Sequence, residues 1–213
     1  MSKTTSCPRR RASSFFALAF WIPAFAGMTI AFAPVVGAAE ALATFAGGCF
    51  WCTESDFEKV PGVLSAVSGY TGGSVKNPGY EAVSDGATGH AEAVQVRFDP
   101  ARVSYARLLQ VYWRSVDPTV KDRQFCDGGS QYRTAIFTHD AAQRALAEST
   151  RADVQKQLGV PVHTQIADAG TFYLAEEYHQ DYYKKNPVRY KAYRWNCGRD
   201  ARLKQIWGAT AGQ

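Results

Sequence analysis

From Glu92 to Phe98, the apolar Val94, Val96 and Phe98 alternate with Ala93, Gln95 and Arg97, the period of two that marks a half-buried strand. After Asp99-Pro100 the period changes. Tyr105, Leu108, Leu109, Tyr112, Trp113 and Val116 recur at three- and four-residue spacing, which predicts an amphipathic helix with Ser104 as its N-cap. Other segments are marked by their ends. Ala41 to Ala46 is a short apolar strand closed by Gly47-Gly48, and a helix is expected from Cys49 to about Lys59, stopped by Val60-Pro61-Gly62. Val63 to Tyr70 is a strand running into Thr71-Gly72-Gly73, and Asp140 with Gln143 opens a helix over 141–158 that Gly159 ends.

The rest is less regular. Residues 71–89 and 117–131 are long loops rich in small and polar residues, a common setting for function. Strands are expected from Tyr132 to Thr138 and near Val162–Ile166, and a helix from about Ala175 to Tyr183. Beyond Asn186-Pro187 the pattern is mixed and weakly periodic, with Ala209 to Gln213 expected to fray. No internal repeat interrupts this order. Strands and helices interleave with long loops, so the fold class is α+β: one domain, a mixed sheet with helices packed on it.

Charge is distributed unevenly. The 213 residues carry a net +5, but residues 1–39 contain Lys3, Arg9, Arg10 and Arg11 and no acidic side chain. The other 174 residues are almost neutral, so the basic balance is poor support for a nucleic-acid partner. Ala12 to Ala39 is uncharged and largely apolar and ends in small residues. A basic start, an apolar run and small residues read as a secretory signal peptide. Cleavage is expected after Ala39, or next after Ala41, leaving 40–213 as an exported, periplasmic domain without stable membrane insertion. An uncleaved anchor competes with this reading, as does a true start at Met28, which would leave the protein in the cytoplasm. Arg10-Arg11 matches twin-arginine export only loosely.

The sharpest chemistry lies in Gly47-Gly48-Cys49-Phe50-Trp51-Cys52-Thr53-Glu54. Two glycines set Cys49 at a strand-to-helix junction, where free N–H groups and the helix dipole favour a thiolate of lowered pKa. The competing reading is a buried structural cysteine. Cys49-x-x-Cys52 is not a zinc knuckle, because Cys126 and Cys197 are single and far apart in sequence. As a thioredoxin-like dithiol it has the right strand-then-helix setting, but it encloses two bulky aromatics, which look more like a pocket wall. His90-x-Glu92 lacks the Pro-Cys-x-x-Cys of a zinc deaminase. Glu92 shares the parity of Val94 and Val96, so its carboxyl is expected to be desolvated and suited to general acid work.

Five ordered segments resemble the A-type peptide methionine sulfoxide reductases. They are Gly48-Cys49-Phe50-Trp51-x-x-Glu54, Gly69-Tyr70-Thr71-Gly72-Gly73, Thr88-Gly89-His90-Ala91-Glu92-Ala93-Val94, Asp127-x-Gly129-x-Gln131-Tyr132-Arg133 and Ala175-Glu176-Glu177-Tyr178-His179-Gln180. The resemblance runs from about Leu42 to Trp207 and implies a two-layer α/β sandwich. It implies that Cys49 attacks the sulfur of methionine-S-sulfoxide, free or in proteins, and that Glu92 protonates the departing oxygen. By the same resemblance Tyr80 and Tyr132 hold that oxygen, Phe50 and Trp51 cradle the S-methyl group, and Asp127 shapes the site. Taken alone, the two tyrosines could be packed aromatics and Asp127 a turn residue. Many relatives have His after this aspartate, and this chain has Gly128.

The sulfenic acid left on Cys49 needs a second thiol. Cys197, in the tail where the family's resolving cysteine usually sits, is the first candidate, with Cys52 and Cys126 as alternatives. His179 and the tyrosines around it are read as packing and hydrogen bonding. The resemblance implies thioredoxin or an equivalent thiol as reductant; the sequence carries no metal, flavin or nucleotide signature, so no cofactor is expected, and a monomer is expected. A dithiol–disulfide oxidoreductase using Cys49 and Cys52 is the alternative function, and a secreted binding module the third.

Overall fold

The computed structural model describes residues 40–212; the leader expectations fall outside them. Six strands form one sheet. They are β1 (Ala41–Gly47), β2 (Val63–Thr71), β3 (Ala91–Phe98), β6 (Thr134–Thr138), β7 (Gln165–Asp168) and β8 (Tyr173–Leu174), in the order β7-β6-β1-β3-β2-β8. Only β6 and β7 run parallel; the other neighbours are antiparallel. Two further strands, β4 (Arg123–Gln124) and β5 (Asp127–Gly128), make a small hairpin. The helices are α1 (Phe50–Phe57), α2 (Tyr80–Ser84), α3 (Tyr105–Ser115), α4 (Ala141–Leu158), α5 (Tyr182–Lys185), α6 (Pro187–Asn196) and α7 (Arg199–Trp207). This is the mixed α+β sheet expected. Among the described residues no helix is long and apolar enough to cross a membrane.

The period-two pattern places large side chains on one face and small ones on the other. Phe45, Val94, Val96 and Ile136 join Phe57, Leu108, Leu109 and Tyr112 in the main core, under α1 and α3. Phe45 lies 4.7 Å from Phe57 and 5.1 Å from Tyr112, ring to ring. Ala46, Ala91, Ala93 and Ala135 face the other way, against Phe137 and Phe172. Strand β3 is therefore covered on both faces, not half-buried as its alternation suggests; only Gln95 and Arg97 reach outward. Helix ends follow their caps. Ser104 Oγ accepts from Arg107 N, Asp140 Oδ1 accepts from Gln143 N, and Gly159 closes α4 in the left-handed region.

Several boundaries differ from expectation. Tyr132 lies in a 3-10 turn (Ser130–Tyr132), so β6 begins two residues later than expected. Strand β7 begins at Gln165 because His163 N and Thr164 Oγ1 are already bound to Pro118 O and the Thr134 hydroxyl. The loop at 71–89 contains α2, whose first N–H is taken by Glu176 Oε1 at 2.8 Å. No helix spans 175–183. Gln180 there accepts from Ser68 N at 3.0 Å and donates to Ser68 O and Ala175 O at 2.9 Å, continuing with its side chain the pairing that β8 makes with β2. The tail beyond Pro187 is helical, and Gly212 N donates to Arg114 O, so the segment expected to fray is tied down through Gly212.

Candidate active site

Cys49 ends the β1–Gly47–Gly48 run and serves as the N-cap of α1. Gly48 has φ +82°, and a Cβ there would lie 2.5 Å from Gln124 Cβ. Only glycine combines that backbone with that approach. Gly47 O accepts from the buried guanidinium of Arg199. The two glycines thus admit side chains from two distant segments to the base of the nucleophile candidate.

Glu92 lies on the large-residue face of β3, 2% exposed, and its Oε2 accepts from Phe50 N at 2.9 Å. The carboxyl therefore sits on the helix N-terminus beside Cys49. Burial, reinforced by Asp127 and Cys52, pushes Glu92 up to about 8, although the Phe50 N–H opposes the shift. A carboxyl in that range is protonated at neutral pH and can donate.

The thiols depart from expectation. A lowered pKa at Cys49 is not found: burial, then the neighbouring Cys52 and Glu92, hold it well above the usual thiol value. Glu92 already occupies the α1 N–H that was expected to stabilise a thiolate, and Cys49 is buried. Cys52, one turn on and 1% exposed, goes the other way, to about 7. A hydrogen bond from Cys49 lowers it most, and Arg199 and Arg194 lower it further against the effect of burial. Both cations are anchored by Asp56, one helical turn beyond Cys52: Arg194 Nη1 at 3.0 Å and Arg199 Nη2 at 3.9 Å. The pair is thus polarised: its surroundings disfavour a thiolate on Cys49 and favour one on Cys52.

The other predicted residues surround this pair. Burial raises the Tyr80 hydroxyl to about 12 and the Tyr132 hydroxyl higher, and each also feels Glu92, Asp127 and Cys49. Tyr80, Tyr132, Glu92, Asp127 and Cys49 are therefore near enough to act on one another electrostatically. Phe50 is buried under Tyr70 and His179, with ring centres at 5.9 and 5.0 Å. Trp51 is half-buried, stacked on Tyr182 at 3.7 Å, and its Nε1 donates to His179 Nδ1 at 3.0 Å. Because an indole only donates, Nδ1 must accept and His179 carries its proton on Nε2. Burial lowers the pKa of that ring, against the effect of Glu176. His179 is thus a packing and hydrogen-bonding residue, as read from the sequence, and the partner it orients is Trp51.

Sequence reasoning missed Tyr193. Its hydroxyl donates to Asp127 Oδ2 at 2.5 Å and lies against the Cys49 sulfur, where it favours the thiolate. The available signal was the helical spacing of Tyr190, Tyr193 and Cys197, obscured by the charged residues between them. Arg194, Arg199 and Asp56 were missed as well.

Cys197 is not paired with Cys49. It forms a disulfide with Cys126, 71 residues away, while Cys49 and Cys52 are free thiols. Two clusters have metal-ligand chemistry among the described residues, Cys126–Asp127–Cys197 and Glu54–Glu58–Asp181. The disulfide consumes the sulfurs of the first. The carboxylates of the second are engaged by Ser68, Tyr183, Lys184 and the Asp181 N–H.

The comparisons agree with this arrangement. Residues 41–211 match the family described as peptide methionine sulfoxide reductase. A Caulobacter vibrioides protein named peptide methionine sulfoxide reductase MsrA 2 is 57% identical over 167 residues, covering 78% of this chain and 85% of that protein. Mxr1 of Saccharomyces cerevisiae in reduced form superposes with a TM-score of 0.68 at 33% identity, covering 76% of this chain and 92% of that one. Mxr1 in complex with Trx2 matches with a TM-score of 0.50 at 27% identity, over 73% and 91%. With a buried thiol and a neutral carboxyl at one helix N-terminus, and a family match across nearly the whole described chain, this protein belongs to the peptide methionine sulfoxide reductase family.

Proposed function

We propose that Cys49 and Glu92 together carry the thiol-dependent reduction of methionine-S-sulfoxide by which this oxidoreductase family repairs oxidised protein. The observation that carries these roles is the Glu92 Oε2–Phe50 N hydrogen bond of 2.9 Å, which fixes a carboxyl protonated at neutral pH beside the sulfur. Sulfoxide oxygen gains negative charge as sulfur is attacked, and a dry pocket strengthens the donors that meet it. Glu92 supplies the proton, and the hydroxyls of Tyr80 and Tyr132 hold the oxygen. Phe50 and Trp51 offer an apolar wall for the methyl group, and Asp127 fixes Tyr193. As Cys49 Sγ takes up the oxygen, the substrate S–O bond breaks; methionine leaves as the sulfide and Cys49 becomes a sulfenic acid. The Cys49 proton has a near acceptor in the Cys52 thiolate.

Cys52 is also the nearest thiol for the next step. Its attack on Cys49 Sγ expels the hydroxyl as water, using the proton that Cys52 took from Cys49, and leaves a Cys49–Cys52 disulfide, with Glu92 re-protonated from solvent. A dithiol donor of the thioredoxin type restores the thiols; Mxr1, a structural neighbour, has been captured with Trx2. A general disulfide oxidoreductase fits less well, because the family matched over residues 41–211 is a sulfoxide reductase family.

The test is reduction of an aryl methyl sulfoxide with dithiothreitol, with insulin disulfide reduction followed in parallel. Cys49→Ser is expected to abolish sulfoxide reduction. Full activity in that variant, or insulin reduction alone, would overturn the assignment. For the leader we propose export, on its basic start followed by an uncharged apolar run. Mature protein beginning at Glu40 or Leu42 supports it, and one beginning at Met1 or Met28 does not.

A further inference from the structure

Four aromatic side chains surround one imidazole beside the site. Ring centre to ring centre, His179 lies 5.0 Å from Phe50, 5.7 Å from Trp51, 4.4 Å from Tyr80 and 4.1 Å from Tyr178. Exposure rises outward through this cluster. Phe50 and His179 are buried, Trp51 and Tyr80 are half-buried, and Tyr178 is 58% exposed. Tyr178 therefore stands one ring further out than the side chains proposed to wall the S-methyl group. A tyrosine this exposed adds little to the core, and most of its surface is open to a ligand.

Two carboxylates flank that ring. Glu176 Oε1 accepts from Tyr80 N at 2.8 Å, which draws the first turn of α2 against the Glu176–Tyr178 segment and sets Glu81 beside it. Burial, then Glu176 and Glu81, raise the Tyr178 hydroxyl, so both carboxylates lie within its electrostatic reach. Against the effect of burial, hydrogen bonds from the Glu176 N–H, Tyr70 and Tyr80 hold Glu176 below the usual carboxylate value, so it is charged at neutral pH. Glu177 is neutralised by Lys185 at 2.8 Å, but among the described residues Glu81 and Glu176 meet no Lys or Arg at ion-pair distance. The same rim holds an unused donor. His179 Nε2 is buried without a partner, on the side of the ring away from the Trp51 contact. A buried N–H left unpaired is costly, and it marks a place for an acceptor on a bound chain.

We propose that Tyr178, Glu81 and Glu176 form a subsite for a Lys or Arg side chain next to the oxidised methionine of a polypeptide substrate. The proposal rests on Phe50 and Trp51 being the wall of the methyl pocket. A cation is attracted to the face of an aromatic ring, and two uncompensated carboxylates beside the ring add to that attraction. The aliphatic stem of Lys or Arg covers the exposed ring while its charged end stays in water near the carboxylates. An acidic neighbour meets the same two carboxylates and is repelled. The enzyme thus selects oxidised segments by their local charge as well as by the sulfoxide.

Blocked pentapeptides test this in the full chain. Each carries methionine sulfoxide at its centre, flanked on both sides by lysine, glutamine or glutamate. The expected order of kcat/KM is lysine, glutamine, glutamate, with about five- to tenfold between the extremes, carried by KM at similar kcat. Salt at about 1 M, where the screening length is about 3 Å, is expected to remove most of that difference. In Glu81→Gln and in Tyr178→Ala the lysine-to-glutamate ratio is expected to fall to about two or less. Both peptides are measured on the same protein, so a loss of folded molecules cancels in the ratio. Equal kcat/KM for the three peptides in the wild type, or a ratio that survives both substitutions, overturns the subsite. Failure of the wild type to reduce any peptide or N-acetylmethionine sulfoxide would instead count against the catalytic reading of Cys49.

Discussion

Through β1, α1, β2, β3, α3 and α4, the side chains nearest the site are positioned by apolar contact and strand register. From Tyr173 onward they are positioned by polar side chains bound to partners far away in sequence. Glu92 belongs to the first kind: its place follows from the pairing of β3 with β1 and β2 and from the parity of one strand. Tyr193, His179 and Arg199 belong to the second. Gln180 pairs with Ser68, Glu176 Oε2 accepts the Tyr70 hydroxyl at 2.7 Å, and Arg199 donates to Gly47 O and Ser115 O. The sheet thus supplies the groups proposed to react, and the tail supplies those that set their charge and hold the pocket closed. Damage to the frame should cost stability first, and damage to the tail should alter the chemistry while the fold survives.

The largest expected effect is in the frame. Phe45→Ala removes a fully buried ring stacked on Phe57 and Tyr112, and should cost about 3–5 kcal/mol in urea unfolding. Activity per folded molecule should stay near wild type, since Phe45 lies on the strand's interior and not at the pocket. Loss of specific activity without loss of stability would break the division between frame and chemistry.

Glu92→Gln comes next. Removing the proton donor should lower kcat for sulfoxide reduction by about 10²–10³-fold. The protonated carboxyl is the active form, so wild-type activity should fall as pH rises past about 8, and the variant's residual activity should lose that fall. Stability moves the same way. The folded pKa lies above the unfolded one, so this group's contribution is complete below the unfolded value near 4.5 and is lost as pH rises through about 8. The variant's stability should therefore depend less on pH than the wild type's between about pH 4.5 and 8. An unchanged pH–rate profile would remove Glu92 as the acid.

This contrast also explains how much was legible in the sequence. Helices α3 and α4 carry period, cap and stop signals within a few residues of one another, and β1 to β3 are set between glycines and prolines, so their boundaries are readable locally. Glu92 was placed on the right face because parity is a local property. The tail carries its information in partners more than 100 residues away, such as Gln180 with Ser68, and no window along the chain contains both. The same holds for Cys126 and Cys197, whose pairing depends on the approach of α6 to the β4–β5 hairpin. The Cys49 thiol was misjudged for a related reason. A free helix N-terminus can be inferred from α1 alone, but its occupation by Glu92 is a tertiary fact.

Gln180→Ala tests the tail's anchorage. It removes three hydrogen bonds and leaves Ser68 N and O of β2 without those partners, at a cost of about 1–3 kcal/mol. Hydrogen exchange should show the loss at Ser68 and over the tail, with β1 and β6 unaffected. Uniform loss across the sheet would mean that tail and frame unfold as one unit, and the division would fail.

Tyr193→Phe should have the smallest effect and bears most directly on the division. The ring keeps its edge contact with Trp51, so packing is preserved and the melting temperature should move little. Only the hydroxyl is lost, and with it the bond to Asp127 and the hydroxyl contact that favours a Cys49 thiolate. A charge-assisted hydrogen bond contributes about 1.5–3 kcal/mol when intact, but solvent entering a half-buried site offsets part of that, so a fall of about tenfold in sulfoxide reduction is expected. The Cys49 thiol should rise further, which moves the alkaline onset of its alkylation by iodoacetamide to higher pH. Glu92 belongs to the frame, so the fall in activity above about pH 8 should stay where it is. A shift in both would mean that tail and frame share one titrating network. A shift in the thiol alone locates the tail's influence at the sulfur and leaves the acid to the sheet.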